Sequence, residues 1–208
     1  MGTTTNRLLP LGLYGMADSS QGDPLALGLW LFERGVRVVQ LRAKGADAAA
    51  LTDLARPLAR RADAVGGMLI VNDSIEAAAA AGAQGVHLGQ EDAPLAEARR
   101  ALGPGAIIGR STHTLAQVRA AQGADYLGFG PVFGTRTKAI AWSPRGPALL
   151  GQAIAASSRP VVAIGGIGPG NLNEIRDVGA RHWAVVGGLW AASDPEAALA
   201  SLTVPHRT

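Results

Sequence analysis

Short apolar runs alternate along the chain with Ala- and Leu-rich stretches of helical length. The runs are apolar throughout and are predicted as strands, because a strand that is covered on both faces has no polar face. The eight predicted strands are residues 12–16, 36–41, 68–71, 85–88, 107–109, 126–129, 161–164 and 182–186. The predicted helices are residues 24–34, 48–64, 75–81, 94–101, 115–122, 147–156, 171–178 and 195–202.

This repeat predicts a single (β/α)8 TIM barrel, as one domain over residues 1–208 with its core at about residues 10–203. Gly-Ala pairs precede three of the strands, at Gly82-Ala83, Gly123-Ala124 and Gly179-Ala180. Glycine there ends a helix in the left-handed conformation and returns the chain to the next strand. The alternative is an open doubly wound sheet, which is less favoured because no Gly-x-Gly-x-x-Gly turn follows the first strand.

Composition narrows the classes of function. The apolar share of 48% and the charged share of 17% are typical of a globular chain. The net charge is only +3, and no run of Lys or Arg is longer than the pairs Arg60-Arg61 and Arg99-Arg100, which argues against a nucleic-acid-binding arm. The absence of cysteine excludes disulfides, thiolate catalysis and Cys-ligated metals. No apolar stretch reaches the about 18 residues of a membrane span and no signal-peptide h-region is present, so a cytoplasmic protein without a membrane partner is expected.

Two acidic residues follow two consecutive predicted strands. Asp73 comes after strand 3 and Asp92 after strand 4. Residues that follow successive parallel strands meet at one end of the sheet, so the two carboxylates are candidates for holding Mg²⁺ beside a substrate phosphate. The alternative is that each carboxylate caps the helix that follows it, at Ser74 and at Pro94.

The end of strand 2 carries a cationic motif. Alternation along the strand places Gln40, Arg42 and Lys44 on one face, directed into the barrel mouth. An arginine fork, a lysine and an amide suit a pyrophosphate, although an exposed strand end would also carry charges. After strand 3, Asn72 is a donor for a phosphate or a ring nitrogen, whereas His87 within strand 4 is interpreted as a packed, hydrogen-bonded residue.

Two further strand ends carry hydroxyl groups. Ser111 follows strand 5 and is a candidate donor to a phosphate. The long loop after strand 6 contains Thr135, Arg136, Thr137 and Lys138. Hydroxyls, backbone N–H groups and a lysine are what a phosphate monoester needs, although such a loop can also be polar simply because it is solvated.

Glycine pairs follow strands 7 and 8, at Gly165-Gly166 and Gly187-Gly188. Glycines let backbone N–H groups approach a phosphate, and the loops after strands 7 and 8 form the usual phosphate site of these barrels. The sequence therefore predicts two anion sites and one metal site around one barrel mouth. A Mg²⁺-bound diphosphate that departs, opposite a second, monophosphorylated substrate, is the reaction that this arrangement favours.

These motifs, in their order and spacing, resemble thiamine phosphate synthase over roughly residues 12–200. The segments that carry the resemblance are Gln40-x-Arg42-x-Lys44, Val71-Asn72-Asp73, Gly85-Val86-His87-Leu88-Gly89-Gln90-Glu91-Asp92, Gly109-x-Ser111, Gly128-x-Gly130-Pro131-Val132-Phe133-x-Thr135-x-Thr137-Lys138 and Ile164-Gly165-Gly166-Ile167. The resemblance implies a transferase that joins a hydroxymethylpyrimidine diphosphate to a thiazole phosphate and releases diphosphate. It implies a dissociative reaction in which the thiazole nitrogen captures a pyrimidine methylene cation.

The resemblance also implies roles for individual residues. The pyrimidine diphosphate would be held by Gln40, Arg42, Lys44, Asn72, Ser111 and Lys138. Mg²⁺ would be held by Asp73 and Asp92. The thiazole phosphate would be held by Thr135, Arg136, Thr137, Gly166, Val186 and Gly187. The catalytic residues implied are Arg42, Lys44, Ser111 and Lys138.

The chain departs from the family pattern where Ala43 replaces a usual Glu and Gly187 replaces a usual Ser. These departures motivate one alternative, a paralogue that binds thiamine precursors without turnover. A second alternative is a thiazole tautomerase, which tends to carry His at the position of Pro131 and needs no diphosphate or Mg²⁺ site. The expected partners are small phosphorylated molecules and not nucleic acid, and a homo-oligomer stays open.

Overall fold

The computed structural model of the protein describes residues 9–135 and 143–203. Eight parallel strands close into a barrel in chain order, with the first strand paired to the last. The strands are β1 (Gly12–Asp18), β2 (Val38–Arg42), β3 (Met68–Asn72), β4 (Gly85–Leu88), β5 (Ile107–Thr112), β6 (Tyr126–Phe129), β7 (Val161–Ile164) and β8 (His182–Val185). The closure confirms the predicted (β/α)8 barrel and excludes the open sheet.

Helices follow the strands around the outside of the barrel. Within the described ranges they are α1 (Pro24–Glu33), α2 (Ala48–Ala64), α3 (Ile75–Ala81), α4 (Leu95–Leu102), α5 (Leu115–Ala120), α6 (Gly146–Ala156), α7 (Leu172–Asp177), α8 (Gly187–Trp190) and α9 (Pro195–Thr203). All eight predicted helices are confirmed to within a few residues. The four-residue α8 was not predicted, because one turn is too short to show a helical period. None of the described helices is long and apolar enough to cross a bilayer.

Three glycines turn the chain from a helix back to the next strand. Gly82 ends α3 at φ 69°, and its backbone N–H bonds to carbonyls of the last helical turn. Gly123 and Gly179 have φ values of 90° and 93°. All three adopt the left-handed conformation that the Gly-Ala pairs predicted, since glycine adopts it without a Cβ clash.

The apolar core has two layers. The larger layer lies between the strands and the helices, and outward-facing strand residues such as Leu13 and Val39 belong to it. The smaller layer fills the barrel interior with residues such as Met16, Val38 and Ile70. Nearer the carboxyl ends of the strands, alternation directs polar residues such as Gln40 and Arg42 of β2 into the interior.

Candidate active site at the barrel mouth

Gln40 and Arg42 lie on the inward face of β2, two residues apart and both buried. The Arg42 guanidinium donates from Nη1 to Asp18 Oδ2 at 2.6 Å, and Asp18 is only 2% exposed. Lys44 lies beyond the strand in an exposed turn, where its backbone N–H donates to Ser19 Oγ. The structure thus brings an amide and an arginine together inside the barrel and leaves the lysine at its rim.

Asp18 is a functional candidate that the sequence reasoning missed. It lies in register beside Arg42, beyond the predicted end of strand 1 at residue 16. Its other carboxylate oxygen, Oδ1, accepts from the backbone N–H of Ser20 at 2.9 Å. The signal was present, since an acidic residue that ends an apolar run is the pattern that singled out Asp73. A buried carboxylate on Nη1 orients the guanidinium and leaves the remaining N–H groups as donors to an anion.

Asp73 follows β3 in a left-handed backbone conformation, with φ 63°. Among the described residues, Asp73 is the one non-glycine residue with a positive φ. This conformation stores about 1 kcal/mol or more of strain. Its backbone N–H donates to the His87 carbonyl at 2.9 Å, which ties it to the end of β4. Ser74 and not Asp73 caps α3, accepting from the Ala77 N–H at 3.1 Å, so the capping interpretation of Asp73 is wrong.

Asp92 closes a tight turn after β4. Its Oδ2 accepts from the Gly89 N–H at 2.6 Å. Pro94 is the N-cap residue of α4 and no side chain caps that helix, so the capping interpretation of Asp92 is also wrong. Arg110 on β5 anchors the same turn by donating from Nη2 to the Gln90 carbonyl at 3.0 Å. The turn that carries the carboxylate is therefore held against the neighbouring strand.

Asp73 and Asp92 are the carboxylates that could hold a Mg²⁺ ion together with a phosphate. Asp73 and Asp92 follow adjacent strands, which are in register at Asn72 and His87. No group of three His, Asp or Glu side chains within residues 9–135 and 143–203 could hold a metal by itself. Mg²⁺ needs only one or two carboxylates when phosphate oxygens and waters complete its octahedron. The donor set therefore suits a metal that arrives with a phosphorylated ligand.

A continuous chain of hydrogen bonds crosses the barrel interior from β2 to β5. Gln40 Nε2 donates to the Tyr14 hydroxyl at 2.9 Å, and that hydroxyl lies 2.7 Å from the Tyr126 hydroxyl. The Tyr126 hydroxyl lies 2.9 Å from His87 Nδ1, and His87 Nε2 lies 2.9 Å from Ser111 Oγ. The interpretation of His87 as a packed, hydrogen-bonded residue is confirmed. Both tyrosines were missed, because in the sequence each is simply part of an apolar strand run.

The opposite side of the mouth is built from the loops after β6, β7 and β8. Thr135 lies in the first half of the loop between β6 and α6 and is half-buried. Arg136, Thr137 and Lys138 lie outside the described residues, as does the apolar segment 139–142. His113 places its Nδ1 2.6 Å from the Gly130 carbonyl oxygen and so contacts the start of this loop.

The glycines of these loops have a packing reason as well as the predicted one. A Cβ at Gly166, where φ is 64°, would lie 2.3 Å from the Gly134 carbonyl oxygen. A Cβ at Gly188 would lie 2.2 Å from the Ile167 carbonyl oxygen. Val186 and Gly187 are half-buried at the start of α8, directly beside this contact. Glycine therefore lets the three loops contact one another closely, whether or not a phosphate is also bound there.

The barrel, its strand-end motifs and their order can be compared with known proteins. The family model for thiamine monophosphate synthase matches residues 16–189. The chain belongs to this family. The match begins within β1 and ends within α8, so it includes every described strand end of the site.

Relatives and solved structures agree with the thiamine monophosphate synthase family. A thiamine-phosphate synthase of Anaeromyxobacter dehalogenans is 42% identical over 92% of this chain and 86% of the relative. One from Parasynechococcus marenigrum is 46% identical over 82% of this chain, which spans only 50% of that longer relative. The structure of thiamine phosphate pyrophosphorylase from Pyrococcus furiosus is similar with a TM-score of 0.83 and 31% identity, over 92% of this chain and 93% of the other.

Proposed function

We propose that the protein is a Mg²⁺-dependent thiamine phosphate synthase, a transferase that joins hydroxymethylpyrimidine diphosphate to thiazole phosphate and releases diphosphate. The observation that carries the proposal is the placement of Arg42, Asp73 and Asp92 at the ends of three consecutive strands, in a chain of this family. Similarity to synthases from other organisms over most of the chain supports the same reaction.

The cationic side chains act on the leaving group. Arg42, held by Asp18, faces the barrel interior and has guanidinium N–H groups left to bind a diphosphate oxygen pair. Lys44 at the rim would add a point charge, and so would Lys138, which lies outside the described residues. As the bond to the pyrimidine methylene breaks, negative charge grows on the diphosphate, and preoriented cations lower the energy of that state more than that of the intact substrate.

Asp73 and Asp92 would hold Mg²⁺ at the same diphosphate. When bound, Mg²⁺ supplies charge neutralisation to the departing phosphate oxygens. The protein prepares this position by holding Asp73 in a strained backbone and Asp92 in a turn that Arg110 anchors. These two features support the proposal that both carboxylates are held in position before the ligand arrives.

The remaining predicted residues divide between the two substrates. Gln40, Asn72 and Ser111 would bind the pyrimidine diphosphate on the side of β2, β3 and β5. The thiazole phosphate would be bound across the mouth by Thr135, Arg136, Thr137, Gly166, Val186 and Gly187. Backbone N–H groups of the β7 and β8 loops are the donors proposed there, since Gly187 offers no hydroxyl. A cytoplasmic location and a homo-oligomer stay predictions.

The test is a turnover assay with both phosphorylated precursors, with and without Mg²⁺, in which diphosphate and thiamine phosphate are measured. We expect Mg²⁺-dependent turnover that Asp92→Asn lowers by about 100-fold or more. Asparagine keeps an oxygen that can accept from the Gly89 N–H, so the loss reports the missing charge and not a collapsed turn. Asp53→Asn, an exposed change on α2, is the matched control and should be neutral.

Three outcomes would contradict the proposal, each in favour of a different function. Full turnover without Mg²⁺ would remove the metal from the reaction. Isomerisation of the thiazole alone would favour the tautomerase, which the presence of Pro131 argues against. Binding of the precursors without turnover would favour the non-catalytic paralogue that Ala43 and Gly187 motivate.

A further inference from the structure

The buried hydrogen-bond chain of Gln40, Tyr14, Tyr126, His87 and Ser111 begins and ends at residues of the proposed pyrimidine diphosphate site. Of its three inner members, Tyr14 and Tyr126 belong to no predicted motif, and His87 lies in a motif but was given no role in the site. Gln40, Tyr14, Tyr126 and His87 are each less than a tenth exposed. The chain therefore connects two substrate-binding side chains through the interior of the barrel, across strands β2, β1, β6, β4 and β5.

The chain has one direction, which the Gln40 amide sets. Gln40 Nε2 can only donate a hydrogen bond, so the Tyr14 hydroxyl accepts there. The Tyr14 hydroxyl then donates its own hydrogen bond to the Tyr126 oxygen. The Tyr126 hydroxyl in turn donates a hydrogen bond to His87 Nδ1. In the neutral imidazole the other nitrogen, Nε2, carries the proton and donates to Ser111 Oγ. Ser111 accepts from within the barrel, which leaves its own proton for a ligand.

Donation in the opposite direction would leave the Tyr14 hydroxyl facing the Gln40 amide without an acceptor. If His87 carried its proton on Nδ1, the Tyr126 hydroxyl would accept from it, and the acceptor left within the network for the Tyr126 proton would be Tyr14. The Tyr14 proton would then face the amide N–H₂ of Gln40, which is no acceptor. Burial raises the pKa of both tyrosine hydroxyls, so each remains a neutral phenol that can donate one hydrogen bond.

Two glycines leave the space that the chain occupies. A Cβ at Gly109 on β5 would lie 2.2 Å from Tyr126 Cζ and 2.4 Å from His87 Nδ1. A Cβ at Gly128 on β6 would lie 3.2 Å from His87 Cε1. No larger residue fits at Gly109 while the Tyr126–His87 contact exists, so backbone and side chains on three strands agree on this arrangement.

We propose that Tyr14, Tyr126 and His87 are positioning residues that fix Ser111 as a hydrogen-bond donor toward the diphosphate of the substrate. The inference rests on the proposed function for the role of Ser111 as a ligand to that substrate. A donor that is aimed before binding stabilises charge as it develops on the leaving group, without reorganisation during the reaction. The three residues act through Ser111, and none of them touches the reacting atoms.

The direction is tested first by nitrogen NMR of the histidine side chains in the free protein, which needs no substrate. The protein has four histidines, and the His87 signals are those that disappear in the His87→Gln variant. We expect Nε2 to be protonated and Nδ1 to be a hydrogen-bond acceptor. Protonation of His87 on Nδ1 in the native protein would overturn the proposal.

The second test is a double-mutant cycle on turnover. Tyr126→Phe keeps the ring but breaks the chain, and we expect about a tenfold loss of kcat with little change in KM, as for one hydrogen bond. In a Ser111→Ala background the same change should cost nothing further, because the effect passes through Ser111. Equal losses in both backgrounds would overturn the proposal.

Controls separate this inference from a general loss of buried hydrogen bonds and from the proposed function. Thr112→Val removes a neighbouring buried hydroxyl, which donates to the Gly128 carbonyl at 2.9 Å outside the chain, and should leave both kcat and the His87 tautomer unchanged. Tyr14→Phe breaks the chain one step earlier and should reproduce the loss if Tyr126→Phe does not fold. A protein without synthase turnover would refute the proposed function, and the tautomer would still decide the direction of the chain.

Discussion

At the scale of single residues, the site depends on charges that are held inside the barrel before any ligand arrives. The clearest case is the ion pair between Asp18 and Arg42, whose side chains are 2% and 11% exposed. Neither charge is well solvated, so each is stable in the interior only with its partner. The pair fixes the direction of an arginine that the proposed function requires.

Removing the buried carboxylate should therefore destabilise the fold. We expect Asp18→Asn to lower the free energy of unfolding by about 3 kcal/mol, because the Arg42 guanidinium is left without a counter-charge. Urea denaturation measures the loss. The control is Glu196→Gln, which breaks the more exposed Arg34–Glu196 pair and should cost clearly less. Equal losses in the two variants would show that the interior pair has no special role.

Asp73 makes a second prediction at this scale, because its backbone and its carboxylate have separate effects. Glycine adopts φ near 60° freely, whereas alanine does not, so we expect Asp73→Gly to be about 1 kcal/mol more stable than Asp73→Ala. Both variants should lose Mg²⁺-dependent turnover, since both lack the carboxylate. Thermal unfolding and the turnover assay together check this. Restored activity in the glycine variant would mean that the backbone and not the charge matters.

The sequence predicted these residues unevenly, and the reasons are physical. Asp73 and Asp92 were found because they follow predicted strands. Asp18 also follows an apolar run, but it was missed because strand 1 was predicted to end at residue 16 and the structure continues it to Asp18. Tyr14 and Tyr126 were missed because a tyrosine in an apolar run looks like core. Their hydroxyls become part of the site only when barrel closure brings β1 and β6 face to face across the interior.

At the scale of elements, strand and helix boundaries follow from apolar periodicity except where polar residues continue a strand. β5 extends to Thr112, although the apolar run ends at residue 109, because Ser111 and Thr112 pair with Gly128 and Phe129 of β6. Such polar strand ends are where a barrel of this kind carries its chemistry. Ser111, which weakens the sequence signal for this strand, is thus also a residue of the proposed site.

The turn after β4 is an element whose geometry depends on its neighbour. Arg110 donates to the Gln90 and Ala93 carbonyls at 3.0 and 3.4 Å. We expect Arg110→Met to raise the Mg²⁺ concentration needed for half-maximal turnover by about tenfold, as for other residues that support metal ligands. Turnover at saturating Mg²⁺ should change little, because Asp92 is still present.

A Mg²⁺ titration of turnover checks this, with Arg119→Met as the control. Arg119 is an exposed arginine in the last turn of α5, and its loss should leave the titration unchanged. An equal shift in both variants would mean that general surface charge, and not the anchored turn, sets the affinity for the metal.

At the scale of the whole molecule, we expect one end of the barrel to affect catalysis and the other to affect stability. The carboxyl ends of the strands carry the proposed site, whereas the amino ends carry residues whose effects should be on stability. His182 begins β8 at the amino end, is 6% exposed, and has an Nε2 atom without a hydrogen-bond partner among the described residues. It is the natural place to test whether stability and catalysis are separable.

His182 should make the fold less stable in acid. Burial lowers its pKa below the ordinary value of 6.5, and the nearby Arg181 charge lowers it further, against a hydrogen bond with the Leu9 backbone that raises it. The unfolded chain therefore binds the proton more readily, so stability is full above pH 6.5 and falls as the pH drops toward the lower pKa of the folded state. In urea denaturation between about pH 7.5 and pH 5, where most carboxylates stay ionised, we expect a steeper loss of unfolding free energy for the parent protein than for His182→Gln.

Because His182 lies at the opposite end from the mouth, the variant should keep the Mg²⁺ titration of turnover that the parent protein shows. An equal pH slope in both proteins, or a changed titration, would contradict this division between the two ends.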